Sequence, residues 1–98
     1  MLQLARVTVD PAKRAELEAA YRTYAASLAD EPGTLLWELA ADADDAGVVW
    51  ILAKFSDEAA HADHMASPAL TSAMAVLQEA MVGPPEVQKL VPLASKSD

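Results

Sequence analysis

The stretch Thr34-Leu35-Leu36-Trp37-Glu38-Leu39-Ala40 decides the fold, together with Val48-Val49-Trp50-Ile51-Leu52-Ala53-Lys54-Phe55 beyond a polar turn. Each half is rich in β-branched, aromatic and aliphatic residues. Asp42 to Gly47 supplies the turn between them, and the reading is an antiparallel hairpin. In simple alternation Leu35, Trp37 and Leu39 point one way and Leu36 and Ala40 the other, with Glu38 between those two. Val49, Ile51, Ala53 and Phe55 oppose Val48, Trp50 and Leu52. Both faces are largely apolar, whereas a sheet wetted on one side alternates apolar with polar. Both faces of this hairpin therefore call for cover.

Working outward, Met1 to Val9 reads as a strand ending at Asp10-Pro11, a helix-starting pair with a capping carboxylate and a proline suited to the first turn. Leu17, Tyr21, Tyr24 and Leu28 recur at helical spacing on a helix of about 18 residues. Glu31-Pro32-Gly33 breaks it. After the hairpin, Ser56-Asp57-Glu58 opens a second helix with a hydroxyl cap, running to about Met65. Ser67-Pro68 restarts it, with Leu70, Met74, Leu77 and Met81 as its stripe. Gly83-Pro84-Pro85 ends that helix, and Glu86 to Leu93 forms a last strand. The order is β-α-β-β-α-β, a ferredoxin-like α+β fold with an antiparallel four-stranded sheet. Such a fold puts its helices on one sheet face. A second copy of the chain is the economical cover for the other, so the expectation is a homodimer, a dimeric α+β barrel.

Composition agrees. Ninety-eight residues make one domain, here residues 1–93 with a polar tail at 94–98. A chain this short buries only roughly 60–65% of its unfolded surface alone, yet 53% of its residues are hydrophobic. Fifteen acids against seven bases give a net charge of −8, which disfavours nucleic acid and anionic membrane surfaces as partners. There is no cysteine, hence no disulfide, thiol nucleophile or thiolate metal site. Leu2 to Arg6 lacks the basic start and long apolar stretch of a signal peptide, and no run is long enough to span a membrane. A cytoplasmic location is the expectation. No phosphate loop, dinucleotide-binding glycine pattern or nucleophile elbow is present.

Three segments carry a family resemblance. Glu31-Pro32-Gly33-Thr34-Leu35 leading into Trp37-Glu38-Leu39, then Lys54-Phe55-Ser56-Asp57-Glu58-Ala59-Ala60, then His64-Met65-Ala66-Ser67-Pro68, resemble in order and spacing the antibiotic biosynthesis monooxygenase domain. The resemblance covers about residues 1 to 93. It implies a dimeric α+β barrel with a pocket between helices and sheet in each subunit. It also implies chemistry of the quinol or anthrone monooxygenase kind, which uses neither metal nor flavin. Two departures matter. Ala69 stands where many members carry a second histidine. The chain has no asparagine, which the haem-degrading branch requires, so the sequence argues against haem degradation.

Oxygen is a triplet and reacts slowly with closed-shell molecules, so an enzyme without a cofactor needs a substrate that gives up an electron once deprotonated. Phenols, hydroquinones and anthrones qualify. The protein then supplies a dry pocket and a base. His64 is the candidate base, because imidazole titrates near neutrality; its alternative role is to pack the helix junction. His61, three residues earlier, gives a His-x-x-His pair with no evident third metal ligand, so no metal is expected. Tyr24, Trp37, Trp50, Leu70 and Met74 are the candidate substrate-binding residues. Each has an alternative role in the core or, for the tryptophans, at the dimer interface. Arg6 either pairs with Glu38 or binds an anionic substrate oxygen. Three functions stay open: a cofactor-independent monooxygenase acting on a small aromatic hydroquinone or anthrone-like compound; a non-catalytic dimeric module for a small apolar ligand or for assisting a pathway enzyme; and an isomerase using the same His64.

Overall fold

A computed structural model describes residues 1–96, so the last two residues of the expected polar tail lie outside the described residues. Strand β1 (Leu2–Thr8) leads through a short 3-10 turn (Pro11–Lys13) into helix α1 (Arg14–Ser27), which ends in another 3-10 turn (Leu28–Asp30). Strands β2 (Thr34–Ala41) and β3 (Val48–Phe55) form the hairpin. Helices α2 (Glu58–Met65) and α3 (Pro68–Ala80) follow, and β4 (Glu86–Leu90) closes the chain. The sheet is antiparallel throughout, in the order β2-β3-β1-β4. This is the ferredoxin-like architecture, with its second helix split in two.

Local chemistry explains most boundaries. Asp10 accepts a hydrogen bond from the Ala12 N–H, with Pro11 behind it, and Ser67 caps α3 through the Leu70 N–H before Pro68. At α2 the cap is Asp57, accepting from the Ala60 N–H, rather than the expected Ser56 hydroxyl. A carboxylate there also complements the positive end of the helix. The continuous first helix instead breaks into 3-10, α and 3-10 segments. Strand β4 stops at Leu90 rather than Leu93 because its partner β1 runs out: Leu90 lies opposite Leu2, the first residue of β1.

The alternation of the hairpin holds with one slip. A register shift between Thr34 and Leu36 leaves Leu35 unpaired and 57% exposed, so it does not join Trp37 and Leu39. The acidic turn is built rather than merely solvated. Asp42 accepts from the N–H groups of Asp44 and Asp45, and Asp45 from that of Gly47.

The core lies between helices and sheet: Val7, Val9 and Val49 from the strands, Leu17, Tyr21 and Tyr24 from α1, and Leu70, Ala73, Leu77 and Ala80 from α3. The buried stripe of α3 is rotated from the expected one. Ala73 and Ala80 take the buried places, because small side chains let α3 pack close to α1, while Met74 and Met81 stay partly buried at its margin.

Candidate active site

The site is assembled around His64 in the last turn of α2. Its ring is 5% exposed, tilted against Phe55 at 4.8 Å between centroids and set edgewise to Tyr24 at 6.0 Å. A buried imidazole needs polar partners, and it has two. Its Nδ1 lies 3.0 Å from Glu31 Oε1 and 3.0 Å from the Tyr24 hydroxyl, which also stands 3.4 Å from Nε2.

Tyr24 reaches this point from the buried stripe of α1. Burial and the nearby Glu31 carboxylate push its phenol well above the ordinary tyrosine range, so it stays protonated and remains a donor. Tyr21, one turn earlier, is pushed up by burial alone to about 12. Glu31 arrives through the turn that ends the first helical region. That turn presses onto α2 so closely that a Cβ on Gly33 would overlap the Ala60 side chain. Thr34 Oγ1 donates to the same Glu31 oxygen at 3.0 Å.

On its inner side His64 lines an apolar cavity of about 170 Å³ between the helices and the sheet. The floor is Ala5, Val7, Ile51 and Ala53; the walls are Trp37, Tyr21, Leu70, Met74 and Leu77. No lysine or arginine lines it. On its outer side His64 lines a second recess of about 340 Å³ with Asp30, Glu31, Asp57 and Asp63. The histidine thus stands in the partition between an apolar chamber and an acidic mouth. A wider groove of about 540 Å³ runs between α1 and the outer edge of β2, separated from the cavity by Tyr21 and Trp37, which line both. It contains no histidine. The aromatic wall is ordered: Tyr21 stacks on Trp37, and Tyr24 meets Trp37 edge-on.

The structure brings His64, Trp37, Leu70 and Met74 together at the cavity. Tyr24 lies one layer back, bonded to His64. Trp50 is a correction: as the odd partner in β3's alternation it projects from the opposite sheet face, where its Nε1–H donates to Asp42 at 2.9 Å and Arg6 sits over its ring. Arg6 pairs with Glu86, not Glu38. His61 packs edgewise on Phe55, with its buried Nε2 unpartnered; burial, helped by Lys89, lowers its pKa. Among the described residues no three histidine or acidic side chains gather as a metal site.

Sequence reasoning missed Glu31. It read the residue as part of a helix-breaking turn, and 33 positions separate it from His64. Its one signal was membership of the Glu-Pro-Gly segment.

The sequence profile described as antibiotic biosynthesis monooxygenase matches residues 1–76. A structure from Caulobacter crescentus bearing that family name is 29% identical, with a TM-score of 0.89, covering 95% of this chain and 89% of its own. One from Bacteroides thetaiotaomicron with the same name is also 29% identical, with a TM-score of 0.86, over 98% of this chain and 91% of its own. SnoaB of Streptomyces nogalater, described as a cofactor-independent oxygenase, shares the fold at 21% identity and a TM-score of 0.79, over 99% of this chain and 96% of its own. No curated protein sequence matches. The profile spans most of the chain, and the chain belongs to the antibiotic biosynthesis monooxygenase family.

Proposed function

We propose that this protein is a cofactor-independent monooxygenase whose substrate is a small, neutral hydroquinone or related phenol, with His64 as the base. The observation that carries the reading is a buried imidazole, bonded to Glu31 and Tyr24, on the wall of a largely apolar cavity. The oxygenase described for SnoaB on the same fold supports it.

A cavity of roughly 150 Å³ holds a benzene, so about 170 Å³ suits a substituted single ring better than a three-ring anthrone. The absence of a lysine or arginine in its lining, and the acidic mouth beside His64, disfavour carboxylated substrates. The phenolic proton passes to His64. The phenolate gives one electron to oxygen, and the resulting radical and superoxide combine in a carbon–oxygen bond. The peroxide recovers the proton from His64 and loses water, leaving a carbonyl. One substrate and one oxygen become one quinone and one water. Dry walls protect the radical pair, and the base contributes roughly 10²–10⁴-fold.

The same reading includes a homodimer. Leu2, Leu4, Leu36, Trp50 and Leu52 share the sheet face without helices, and a second copy is the proposed cover.

The test is oxygen uptake with a panel of single-ring and fused-ring hydroquinones, wild type beside His64→Ala. Turnover reduced 100-fold or more in the variant is the expected result. Wild-type protein that leaves the uncatalysed rate unchanged with the whole panel would sink it. Product formed under nitrogen would favour the isomerase.

A further inference from the structure

We infer that Glu31 is a positioning residue of this site: its carboxylate fixes His64 in the tautomer protonated on Nδ1, and so leaves Nε2 as the proton acceptor. The assignment follows from who can donate. A carboxylate only accepts, so the 3.0 Å approach of Glu31 Oε1 to Nδ1 requires the proton on that nitrogen. The reverse tautomer would set a lone pair against an anion, with Glu31 19% and His64 6% exposed. Screening by water is weak there, and the penalty correspondingly large.

With its single Nδ1 proton given to Glu31, His64 has only Nε2 free to accept. The Tyr24 hydroxyl, 3.0 Å from Nδ1, can therefore direct its proton only to Nε2, at 3.4 Å. That is a long hydrogen bond, one that a substrate hydroxyl in the cavity displaces. When Nε2 takes a proton, the imidazolium keeps its Nδ1–H on Glu31, and the buried charge is paired at once.

Glu31 is itself held. Thr34 Oγ1 donates to Oε1, the Thr34 N–H donates to the Glu31 carbonyl at 3.0 Å, and the Glu31 N–H donates to the Leu28 carbonyl at 3.0 Å. Gly33 lets the turn lie on Ala60 and brings the carboxylate within reach. The chain of command runs Thr34, Glu31, His64, cavity.

The consequence for activity rests on the oxygenase reading; the tautomer does not. The experiment is nitrogen-15 correlation NMR of the histidine rings in wild type, Glu31→Gln and Thr34→Val, at a pH where the rings are neutral, alongside hydroquinone turnover. His61→Gln separates the two histidines. The expected wild-type spectrum shows His64 protonated on Nδ1. Glu31→Gln, of the same shape but with an amide that also donates, shifts His64 toward the Nε2-protonated form and lowers kcat about 10- to 100-fold with little change in KM. Thr34→Val gives a smaller change in the same direction, and Glu31→Asp recovers part of the loss. An unaltered His64 tautomer in folded Glu31→Gln overturns the inference, as does a wild-type spectrum protonated on Nε2. A tautomer shift in a protein that oxidises no hydroquinone keeps the positioning role and removes the oxygenase.

Discussion

The two faces of the sheet are made by the same strands and solve opposite problems. On the helix side Val7, Val49, Ala53 and Phe55 are each no more than 4% exposed, and the polar groups that intrude, Tyr24 and His64, are bonded to one another. On the other side Leu36 and Leu90 stay 39% and 38% exposed, and at the rim Arg6 meets Glu86 and Trp50 while Asp42 holds the indole. The difference teaches where specificity resides. The covered face carries a cavity with an oriented base. The bare face carries apolar area with a charged rim, the composition of a surface for another protein.

The largest expected effect lies on the covered face. Phe55 is 1% exposed and packs both His61 and His64, so Phe55→Ala combines a cavity with loss of the surface against which His64 is tilted. About 3–5 kcal/mol of stability should be lost by denaturant titration. A loss below about 1 kcal/mol would mean that α2 does not pack as described.

On the bare face the effect should fall on association instead. Leu52 lies across from Leu4 on β1 and Glu38 on β2. Leu52→Lys therefore gains an opposite charge as its cross-strand neighbour and keeps the protomer folded. It also places an ammonium in the proposed interface. By sedimentation, the wild type should be a dimer at micromolar concentration and the variant should dissociate roughly 10²–10⁴-fold more readily, the equivalent of one buried leucine, about 1.5–3 kcal/mol, from each copy. A monomeric wild type would break the comparison, because the apolar face would then have no cover.

What was legible in the sequence was whatever depends on near neighbours. The hairpin alternation, the Asp10-Pro11 and Ser67-Pro68 caps and the α1 stripe Leu17, Tyr21, Tyr24 each need only a few residues of context. The family segments placed His64 at the helical break, but they left open which of the two tryptophans faces the helices. The rest was not legible because it depends on how distant segments meet. The rotation of α3 to Ala73 and Ala80 is set by the closeness of α1. The bulge at Leu35 shows only in the pairing of β2 with β3. The Glu31–His64 pair exists only because that turn folds back onto α2. Trp37 and Trp50 look alike in composition, and pairing with opposite faces alone separates them.

The two tryptophans give the smallest and most local test. Asp42 accepts the Trp50 indole proton and two backbone N–H bonds, and these hold its carboxyl below the ordinary value, the indole bond first. A carboxylate whose pKa is depressed on folding adds stability above its unfolded value, 3.8, and loses it as pH falls through the folded one. The bond should therefore persist at neutral pH and fail only in the acid range beneath 3.8. With Trp37→Phe in the background, Trp50 emission should stay constant from pH 7 to pH 4, then change as Asp42 is protonated; Asp42→Asn should abolish the acid step. The converse background, Trp50→Phe, leaves Trp37 on the covered face, packed on Tyr21 and Tyr24 with no carboxylate bonded to its indole, and its emission should lack the Asp42 step. A local acid step in Trp37 instead would mean that the acidic recess reports into the cavity, and that the partition made by His64 is more permeable than its burial implies.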